Sequence, residues 1–194
     1  MTIYRISRAL VRFLLKIKGY KVEGLKKFPV KGPVIIAANH LSAWDPVLVA
    51  CALDRQVFYM GKEQLFDVPI FGKYLLKVGV FPVKRGHSDI RAIRKSLDIL
   101  KNGKVLGVFP EGTRLKTGEI QDAMSGIVLI MEKSKAPVVP IKVYGTVDFL
   151  KTKRGNSGVI IGDPIYPGQI NPPENADNSR LWIANEIMKI VKQI

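Results

Sequence analysis

Residues 33–53 read PVIIAANHLSAWDPVLVACAL, and the fold of this chain depends on the pattern within them. The apolar run Val34–Ala38 predicts a buried strand. Pro46–Leu53 predicts a helix, because proline is favoured at the first helical position. Between the two lies a polar segment, residues 39–45. A strand, a polar connection and a helix in this order are the start of an α/β unit.

The same alternation of strands and helices continues along the chain. Strands separated by helices indicate an α/β fold with a mostly parallel central sheet flanked by helices. The length of 194 residues and the hydrophobic content of 47% fit one domain, which we expect over residues 21–194. The further predicted strands are 57–60, 80–83, 105–109, 138–143 and 159–161, and the predicted helices are 71–77, 88–103, 126–133 and 178–191.

Residues 1–20 are predicted to form a basic amphipathic helix at a membrane surface. Apolar residues recur at helical spacing from Ile3 to Ile17, and basic residues from Arg5 to Lys16 form a neighbouring stripe. The pattern alone allows either a helix packed on the domain or an interfacial anchor. The first 27 residues hold eight basic residues against Glu23, a net of +7. This local excess of charge favours the anchor.

Basic residues dominate the whole chain. Lys and Arg number 31 against 16 Asp and Glu, which gives a formal net charge of +15. Such an excess implies an anionic partner. Nucleic acid, anionic lipid, an acidic carrier protein and a phosphorylated substrate all fit. The distribution argues against nucleic acid, because aromatic residues are not interleaved with the basic ones as a base-stacking surface requires.

Cysteine content and hydropathy bear on where the protein works. Cys51 is the single cysteine, so an intrachain disulfide and a cysteine-rich metal site are excluded, and a reducing compartment is expected. No run approaches the roughly 18 apolar residues of a transmembrane helix, and the N-terminus lacks the apolar region of a signal peptide. We expect a cytoplasmic protein, peripheral on the cytoplasmic face of the cell membrane.

Three polar segments each follow a predicted strand directly. In open α/β sheets, ligands bind at the carboxyl ends of the strands, and parallel strands place those ends at one edge. We therefore expect the three segments to meet at that edge. They are Asn39–Asp45, Lys84–Gly86 and Pro110–Arg114.

His40 and Asp45 form the first candidate for chemistry. A carboxylate five residues after a histidine can bond one imidazole nitrogen, fix the tautomer and support the imidazolium, as in a serine hydrolase triad. Alternatives remain for each residue alone. A lone histidine is more often structural, and Asp45 is well placed to cap the helix Pro46–Leu53.

The other two segments supply groups suited to a phosphate. The guanidinium fork of Arg114 matches phosphate geometry, Arg85 offers a second one, and Lys84 adds a point charge. Glu111, Gly112 and Thr113 contribute a carboxylate, a close backbone approach and a hydroxyl. A solvated turn is the alternative for this segment.

Four blocks of the sequence resemble, in order and separation, those of the glycerolipid acyltransferase family, which includes the 1-acylglycerol-3-phosphate acyltransferases. The resemblance covers about residues 20–165. The blocks are Asn-His-x-Ser-x-x-Asp at 39–45, Phe-Pro-x-x-Arg-Gly at 81–86, Phe-Pro-Glu-Gly-Thr-Arg at 109–114 and Val-Val-Pro-Ile at 138–141.

The resemblance implies roles for these residues. His40 is then the general base that takes a proton from the acceptor hydroxyl, and Asp45 orients it. The deprotonated oxygen attacks an acyl thioester directly, so no acyl-enzyme is required. Ser42 and Cys51 are the alternative nucleophiles, and their positions disfavour both. The implied acceptor-binding groups are Arg85, Glu111, Gly112 and Arg114, with Thr113 and Lys84 as weaker candidates.

The resemblance also implies the partners. The donor is acyl-CoA or acyl-carrier-protein, the acceptor is the lysophospholipid 1-acylglycerol 3-phosphate, and the product is phosphatidic acid. We expect no cofactor, no metal and no nucleic acid. A close alternative is acylation of another lysophospholipid or of glycerol 3-phosphate. Alternatives of other classes are a basic nucleic-acid-binding protein and a non-catalytic lipid-binding protein of the same fold.

Overall fold

A single mixed sheet forms the centre of the computed structural model, which describes residues 2–84, 89–112 and 125–194. Within these residues the strand order is β1-β7-β6-β2-β5-β3-β4. The strands are β1 (Lys21–Glu23), β2 (Val34–Ala38), β3 (Val57–Lys62), β4 (Val80–Val83), β5 (Val105–Val108), β6 (Val138–Tyr144) and β7 (Gly158–Ile161). The helices are α1 (Thr2–Lys18), α2 (Asp45–Ala52), α3 (Pro69–Val78), α4 (Ile90–Lys101), α5 (Gly126–Ser134) and α6 (Ser179–Gln193).

Strand β2 lies in the middle of the sheet and pairs in parallel with β5 on one side and β6 on the other. Among the described strands only the β6–β7 pair is antiparallel. All five residues of β2 are buried, because helices cover both faces of a parallel sheet. The predicted α/β fold with a mostly parallel central sheet is confirmed.

Two layers of helices cover the sheet. Ile35 and Ala37 of β2 pack with α4, α5 and α6 in one core cluster. Val34, Ile36 and Ala38 point to the other face and pack with α2. Helix α1 lies outside α2 and contacts both α2 and α3. This arrangement leaves the carboxyl end of β2 at the edge of the sheet where α2 begins.

Several element boundaries differ from the prediction. Helix α2 begins at Asp45 and ends at Ala52, one residue earlier at each end than predicted. Strand β1 was not predicted, because its three residues are all exposed and carry no apolar pattern. Its pairing with β7, a contact distant in sequence, is what makes it a strand.

Helix α1 has two apolar faces. A narrow one, with Tyr4 and Leu15 buried, packs on the body of the protein, and Leu15 belongs to a core cluster with Leu48 and Phe149. A broad one is exposed and includes the stripe predicted from the sequence. The exposed apolar residues of α1 are Ile3, Ile6, Leu10, Phe13, Leu14 and Ile17.

None of the described helices is both long and apolar enough to span a membrane. The division of the chain into two parts near residue 20 stays a prediction.

Candidate active site

The carboxyl ends of β2 and β5 bring two of the three predicted polar segments together. The register pairs Ala37 of β2 with Val108 of β5, so the residues that follow the two strands leave the sheet side by side. The backbone N–H of His40 donates to Oε2 of Glu111 at 2.9 Å, across 71 residues of sequence. The candidate site lies at this edge of the sheet, as expected for an open α/β fold.

The loop that carries His40 is fixed by hydrogen bonds at both ends. At its start, Nδ2 of Asn39 donates to the carbonyl of Val143 at 2.9 Å, and Oδ1 of Asn39 accepts from the N–H of Val143 at 2.7 Å. The side-chain amide of Asn39 thereby continues the hydrogen bonding between β2 and β6. At its end, Oδ2 of Asp45 accepts from the N–H groups of Leu41 and Ser42, each at 2.6 Å. These bonds leave the backbone of residues 39–45 little freedom to move.

Asp45 also binds the His40 ring. Nδ1 of His40 lies 2.9 Å from Oδ2 of Asp45, whose side chain is completely buried. The carboxylate therefore selects the tautomer with the proton on Nδ1 and leaves Nε2 free to accept one. Asp45 is the first residue of α2, where the helix dipole favours a negative charge. The histidine and the carboxylate thus form a dyad suited to general base catalysis.

The capping alternative for Asp45 is wrong. The residue preceding α2 is Trp44, which makes no side-chain cap, and Asp45 lies within the helix. Its carboxylate accepts from amides before the helix rather than from those of the first turn. Oδ2 takes all three bonds, and Oδ1 is buried without a partner among the described residues.

Aromatic rings support the other side of the histidine. The ring of Phe109 stacks on His40 with a centroid distance of 4.3 Å and an interplanar angle of 26°. Tyr59 stacks behind Phe109 at 5.8 Å. A glycine at 107 makes room for Tyr59, because a Cβ there would lie 2.1 Å from Cε1 of that ring. The imidazole is thereby held between a carboxylate and a ring stack.

Glu111 is buried, and its carboxylate has an unusual environment. Oε2 accepts from the N–H of His40, and Oε1 has no partner among the described residues. Burial raises the pKa of the Glu111 carboxyl, and the N–H of His40 and the ammonium of Lys192 oppose this effect. The pKa of Glu111 is therefore higher in the folded protein than in the unfolded chain. As pH rises from the unfolded-state pKa to the folded-state pKa, the free energy of unfolding decreases, because ionising Glu111 is less favourable in the folded protein. Such costs are typical of functional carboxylates.

Comparison with known proteins shows the family. The family described as acyltransferase matches residues 19–144, more than half of the chain. This chain belongs to the acyltransferase family. The matched segment contains His40, Asp45 and Glu111, so the family match covers the geometry described above.

Individual relatives agree with the family match. The 1-acyl-sn-glycerol-3-phosphate acyltransferase of Bacillus subtilis is 32% identical over 167 residues, which are 84% of this chain and 82% of the relative. A chloroplastic 1-acyl-sn-glycerol-3-phosphate acyltransferase of Arabidopsis thaliana is 30% identical over 169 residues, and this chain spans about half of its length (47%). The crystal structure of the 1-acyl-sn-glycerophosphate acyltransferase of Thermotoga maritima superimposes with a TM-score of 0.71 at 24% identity, over 97% of this chain and 80% of that one. That likeness supports the fold.

Lys84 lies apart from the dyad of this acyltransferase. It follows the edge strand β4, and three strand spacings of about 4.8 Å each separate β4 from β2, roughly 14 Å in all. Its ammonium lies 3.9 Å from Glu63, and its backbone N–H donates to Asp89 at 3.1 Å. These contacts of Lys84 lie outside the dyad, and both the meeting of the third polar segment with the other two and the substrate-binding role of Lys84 stay predictions.

The remaining predicted acceptor-binding residues divide into two groups. Arg85, Thr113 and Arg114 lie outside the described residues. Gly112 is described and has a φ of 68°, the left-handed region that favours glycine, and its N–H donates to the carbonyl of Phe109 at 3.0 Å. This turn aims Glu111 at His40. The acceptor-binding assignments of Glu111 and Gly112 stay predictions beside these structural roles.

Three residues of the site had no role assigned from sequence. Asn39 and Phe109 belong to the sequence blocks at 39–45 and 109–114. Each lies at the carboxyl end of a strand, and this position was the signal that could have indicated a role in the site. Lys192 is brought to this edge by α6, whose end is held where Lys142 of β6 donates to the carbonyl of Lys192 at 2.8 Å. No pattern in the sequence indicates that contact.

Cys51 does not have the properties of a nucleophile. It lies near the far end of α2 from the dyad, and burial raises the pKa of its thiol to about 11. Among the described residues, no three His, Cys, Asp or Glu side chains are grouped so that they can hold a metal ion.

Proposed function

We propose that this acyltransferase moves a fatty acyl group from an acyl thioester to the sn-2 hydroxyl of 1-acylglycerol 3-phosphate, which gives phosphatidic acid. The observation that carries the proposal is the bond between Nδ1 of His40 and the buried carboxylate of Asp45, with Nε2 left to accept a proton. The names of the relatives from Bacillus subtilis and Arabidopsis thaliana support the acceptor. Acyl-CoA and acyl-carrier-protein are both suitable donors, because both are anionic and the chain carries +15.

The residues of the dyad account for the steps of transfer. Nε2 of His40 takes the proton of the acceptor hydroxyl as that oxygen attacks the thioester carbonyl. The tetrahedral intermediate collapses, the thiolate leaves, and the imidazolium returns the proton to the sulfur. Asp45 stabilises the imidazolium between these steps. Arg85 and Arg114 are expected to hold the acceptor phosphate.

The test of the reaction follows the released thiol. With acyl-CoA and 1-acylglycerol 3-phosphate in mixed micelles, we expect thiol release to depend on the acceptor and to match phosphatidic acid formed mole for mole. Mass spectrometry of the product checks the second point. Lysophosphatidylcholine and glycerol 3-phosphate serve as comparison acceptors, and acyl-carrier-protein as the comparison donor.

Each other result has a defined meaning. Faster transfer to lysophosphatidylcholine or glycerol 3-phosphate would replace the proposed acceptor and keep the reaction. Thiol release that does not depend on any acceptor would indicate a thioesterase. Absence of release with both donors and all acceptors would contradict acyl transfer and favour a non-catalytic lipid-binding protein.

The second part of the proposal concerns location. We infer that the protein is peripheral on the cytoplasmic face of the membrane and binds it through α1. The exposed face of α1 is apolar from Ile3 to Ile17, and α3, which contacts α1, adds the exposed side chains of Ile70 and Phe71. An exposed apolar surface of this extent, beside a concentration of basic residues, is typical of a protein that lies on an anionic bilayer.

Replacing Leu10 and Phe13 together with glutamate tests the role of α1. Both side chains are exposed, and burying each in a bilayer contributes about 1.5–3 kcal/mol. We expect affinity for vesicles that contain anionic lipid to fall by at least about 10²-fold. Cosedimentation measures this affinity, and turnover of a short-chain water-soluble acceptor should remain close to that of the unmodified protein.

The matched control replaces Val30 and Tyr166 with glutamate, since both are exposed apolar residues outside α1. It introduces the same charge and should leave vesicle affinity almost unchanged. Equal losses in the two variants would mean that net charge alone drives binding. Parallel loss of turnover in the α1 variant would mean that the helix is a packing element. Binding to duplex DNA without binding to vesicles would contradict a membrane role.

A further inference from the structure

The connection between β6 and β7 forms a compact loop at the same edge of the sheet as the dyad. We refer to residues 147–154 as the β6–β7 loop. Its backbone is closed by two bonds to the carbonyl of Asp148, from the N–H of Lys151 at 2.8 Å and of Thr152 at 3.1 Å. Strand β6 pairs with β2, so the loop leaves the sheet next to the strand that carries His40.

The loop exposes two large apolar side chains. Val147 is 63% exposed and Leu150 is 75% exposed, whereas Phe149 between them is buried at 6%. Phe149 therefore holds the loop to the body, while its two apolar neighbours face solvent. The side chains of Lys151, Lys153 and Arg154, which follow directly, are exposed as well. Apolar tips next to a cluster of cations match the chemistry of an anionic bilayer surface.

This surface adjoins the last turn of α1. Nζ of Lys18 donates to the carbonyl of Leu150 at 2.8 Å, and the N–H of Gly155 donates to the carbonyl of Lys18 at 3.0 Å. Ile17, the final member of the exposed apolar face of α1, precedes Lys18 in the chain. The β6–β7 loop thus lies beside the end of α1, at the edge of the sheet that carries the dyad, which we call the catalytic edge.

The loop is also connected to the catalytic loop. The rings of Phe149 and Trp44 pack with a centroid distance of 5.2 Å. Trp44 immediately precedes Asp45, so the residue that anchors the β6–β7 loop contacts the segment that fixes His40. A bilayer bound to this loop would lie beside the dyad.

We propose that the β6–β7 loop is a second bilayer contact, separate from α1. Val147 and Leu150 insert among the lipids, Lys151, Lys153 and Arg154 bind anionic headgroups, and the contact turns the catalytic edge toward the surface that holds the acceptor. The inference rests on the proposed function, in which the acceptor is a lipid. The apolar tips favour a bilayer over an acidic carrier protein, which the basic residues alone would also suit.

A fluorophore attached to the loop tests the contact directly. We expect an environment-sensitive label on Leu150→Cys to shift to the blue when vesicles with phosphatidylglycerol are added. The same label on Val30→Cys should not shift, because Val30 is 82% exposed and precedes β2 at the opposite edge of the sheet. The native Cys51 is buried and its thiol pKa is raised, so it does not compete for the label.

The outcomes separate this inference from the proposed function. An unshifted label at 150 on protein that sediments with the vesicles would overturn the loop contact and leave α1 as the anchor. Absence of sedimentation with vesicles would overturn both the membrane location and the loop contact, while acyl transfer in micelles stands or fails separately.

Reversal of charge gives the second measurement. Lys151→Glu, Lys153→Glu and Arg154→Glu together should lower affinity for the same vesicles by at least about a hundredfold. The matched control reverses Lys31, Lys101 and Lys104, which are exposed at the opposite edge, and should lose much less. Equal losses would mean that the loop is not a specific contact. Slower turnover with acyl-carrier-protein alone, at unchanged vesicle affinity, would make the loop a carrier-docking surface and overturn the proposal.

Discussion

Replacing His40 with alanine should lower kcat by about 10²–10⁴-fold, because the proposed general base is then lost. The structure gives the imidazole one arrangement, with Nδ1 bonded to Asp45 and the ring stacked on Phe109 at 4.3 Å. Thiol release with 1-acylglycerol 3-phosphate measures the effect. KM for the acceptor should change far less than kcat, since the base acts on the proton in the transition state.

Ser42→Ala is the matched control for this variant. Ser42 lies in the same loop, and among the described residues its hydroxyl makes one long bond, accepted from the N–H of Trp44 at 3.3 Å. We expect Ser42→Ala to keep kcat within a small factor of the unmodified enzyme. Loss of activity in Ser42→Ala with formation of a labelled serine ester would instead indicate an acyl-enzyme. Full activity of His40→Ala would remove the dyad from the mechanism.

Two replacements of Asp45 should have different effects, because a single oxygen of this residue accepts all three bonds. Asparagine can place its oxygen where Oδ2 lies and so keep the acceptor for the His40 ring and for the amides of Leu41 and Ser42. The charge that stabilises the imidazolium is lost, and the new amide N–H2 takes the buried position of Oδ1, which has no partner among the described residues. A hydrogen bond to a charged group contributes about 1.5–3 kcal/mol, so kcat should fall roughly tenfold to a hundredfold.

Asp45→Ala removes the acceptor as well as the charge. The two loop amides and the ring N–H are then left without a partner, and each buried unsatisfied group costs about 1–3 kcal/mol. We expect kcat to approach that of His40→Ala. The free energy of unfolding should fall by at least a few kcal/mol, because three groups lose their partner. Denaturant titration of both variants separates the effect of losing the hydrogen-bond acceptor from the effect of losing the charge. Equal destabilisation by Asn and Ala would contradict the single-oxygen arrangement.

A double variant checks that the two residues act as one unit. His40→Ala combined with Asp45→Asn should have nearly the same kcat as His40→Ala alone, since the carboxylate assists only through the ring. Additive losses would mean that Asp45 acts on the substrate by a separate route.

Local sequence patterns were enough to predict the architecture around His40. The apolar run Val34–Ala38, the polar loop and the helix that starts with Asp45-Pro46 are each specified by residues close together in the chain. The position of the site also followed, because parallel strands bring their carboxyl ends to one edge. The spacing of His40 and Asp45 predicted their bond for a different reason: a separation of five residues limits how far apart the two side chains can lie.

Contacts between segments far apart in the chain could not be predicted from such local patterns. Periodicity indicates that a residue faces the core or solvent, but it does not say which element covers it. The bond from the His40 N–H to Glu111 joins residues 71 apart, and the Asn39–Val143 pair joins residues 104 apart. Each depends on the strand order β6-β2-β5, which no local signal specifies.

The amphipathic helix shows the same division between sequence and tertiary structure. Its sequence determined that α1 is helical and has a broad apolar stripe, because side-chain spacing along a helix is fixed by its geometry. Whether that stripe is covered depended on the body of the protein, which packs against Tyr4 and Leu15 and leaves Leu10 and Phe13 exposed. The sequence by itself thus determined the helices, every strand except β1, the edge that bears the candidate site and the dyad. Only the tertiary structure decided the strand order, the partner of Glu111 and the exposed face of α1, because those depend on contacts between segments far apart in the chain.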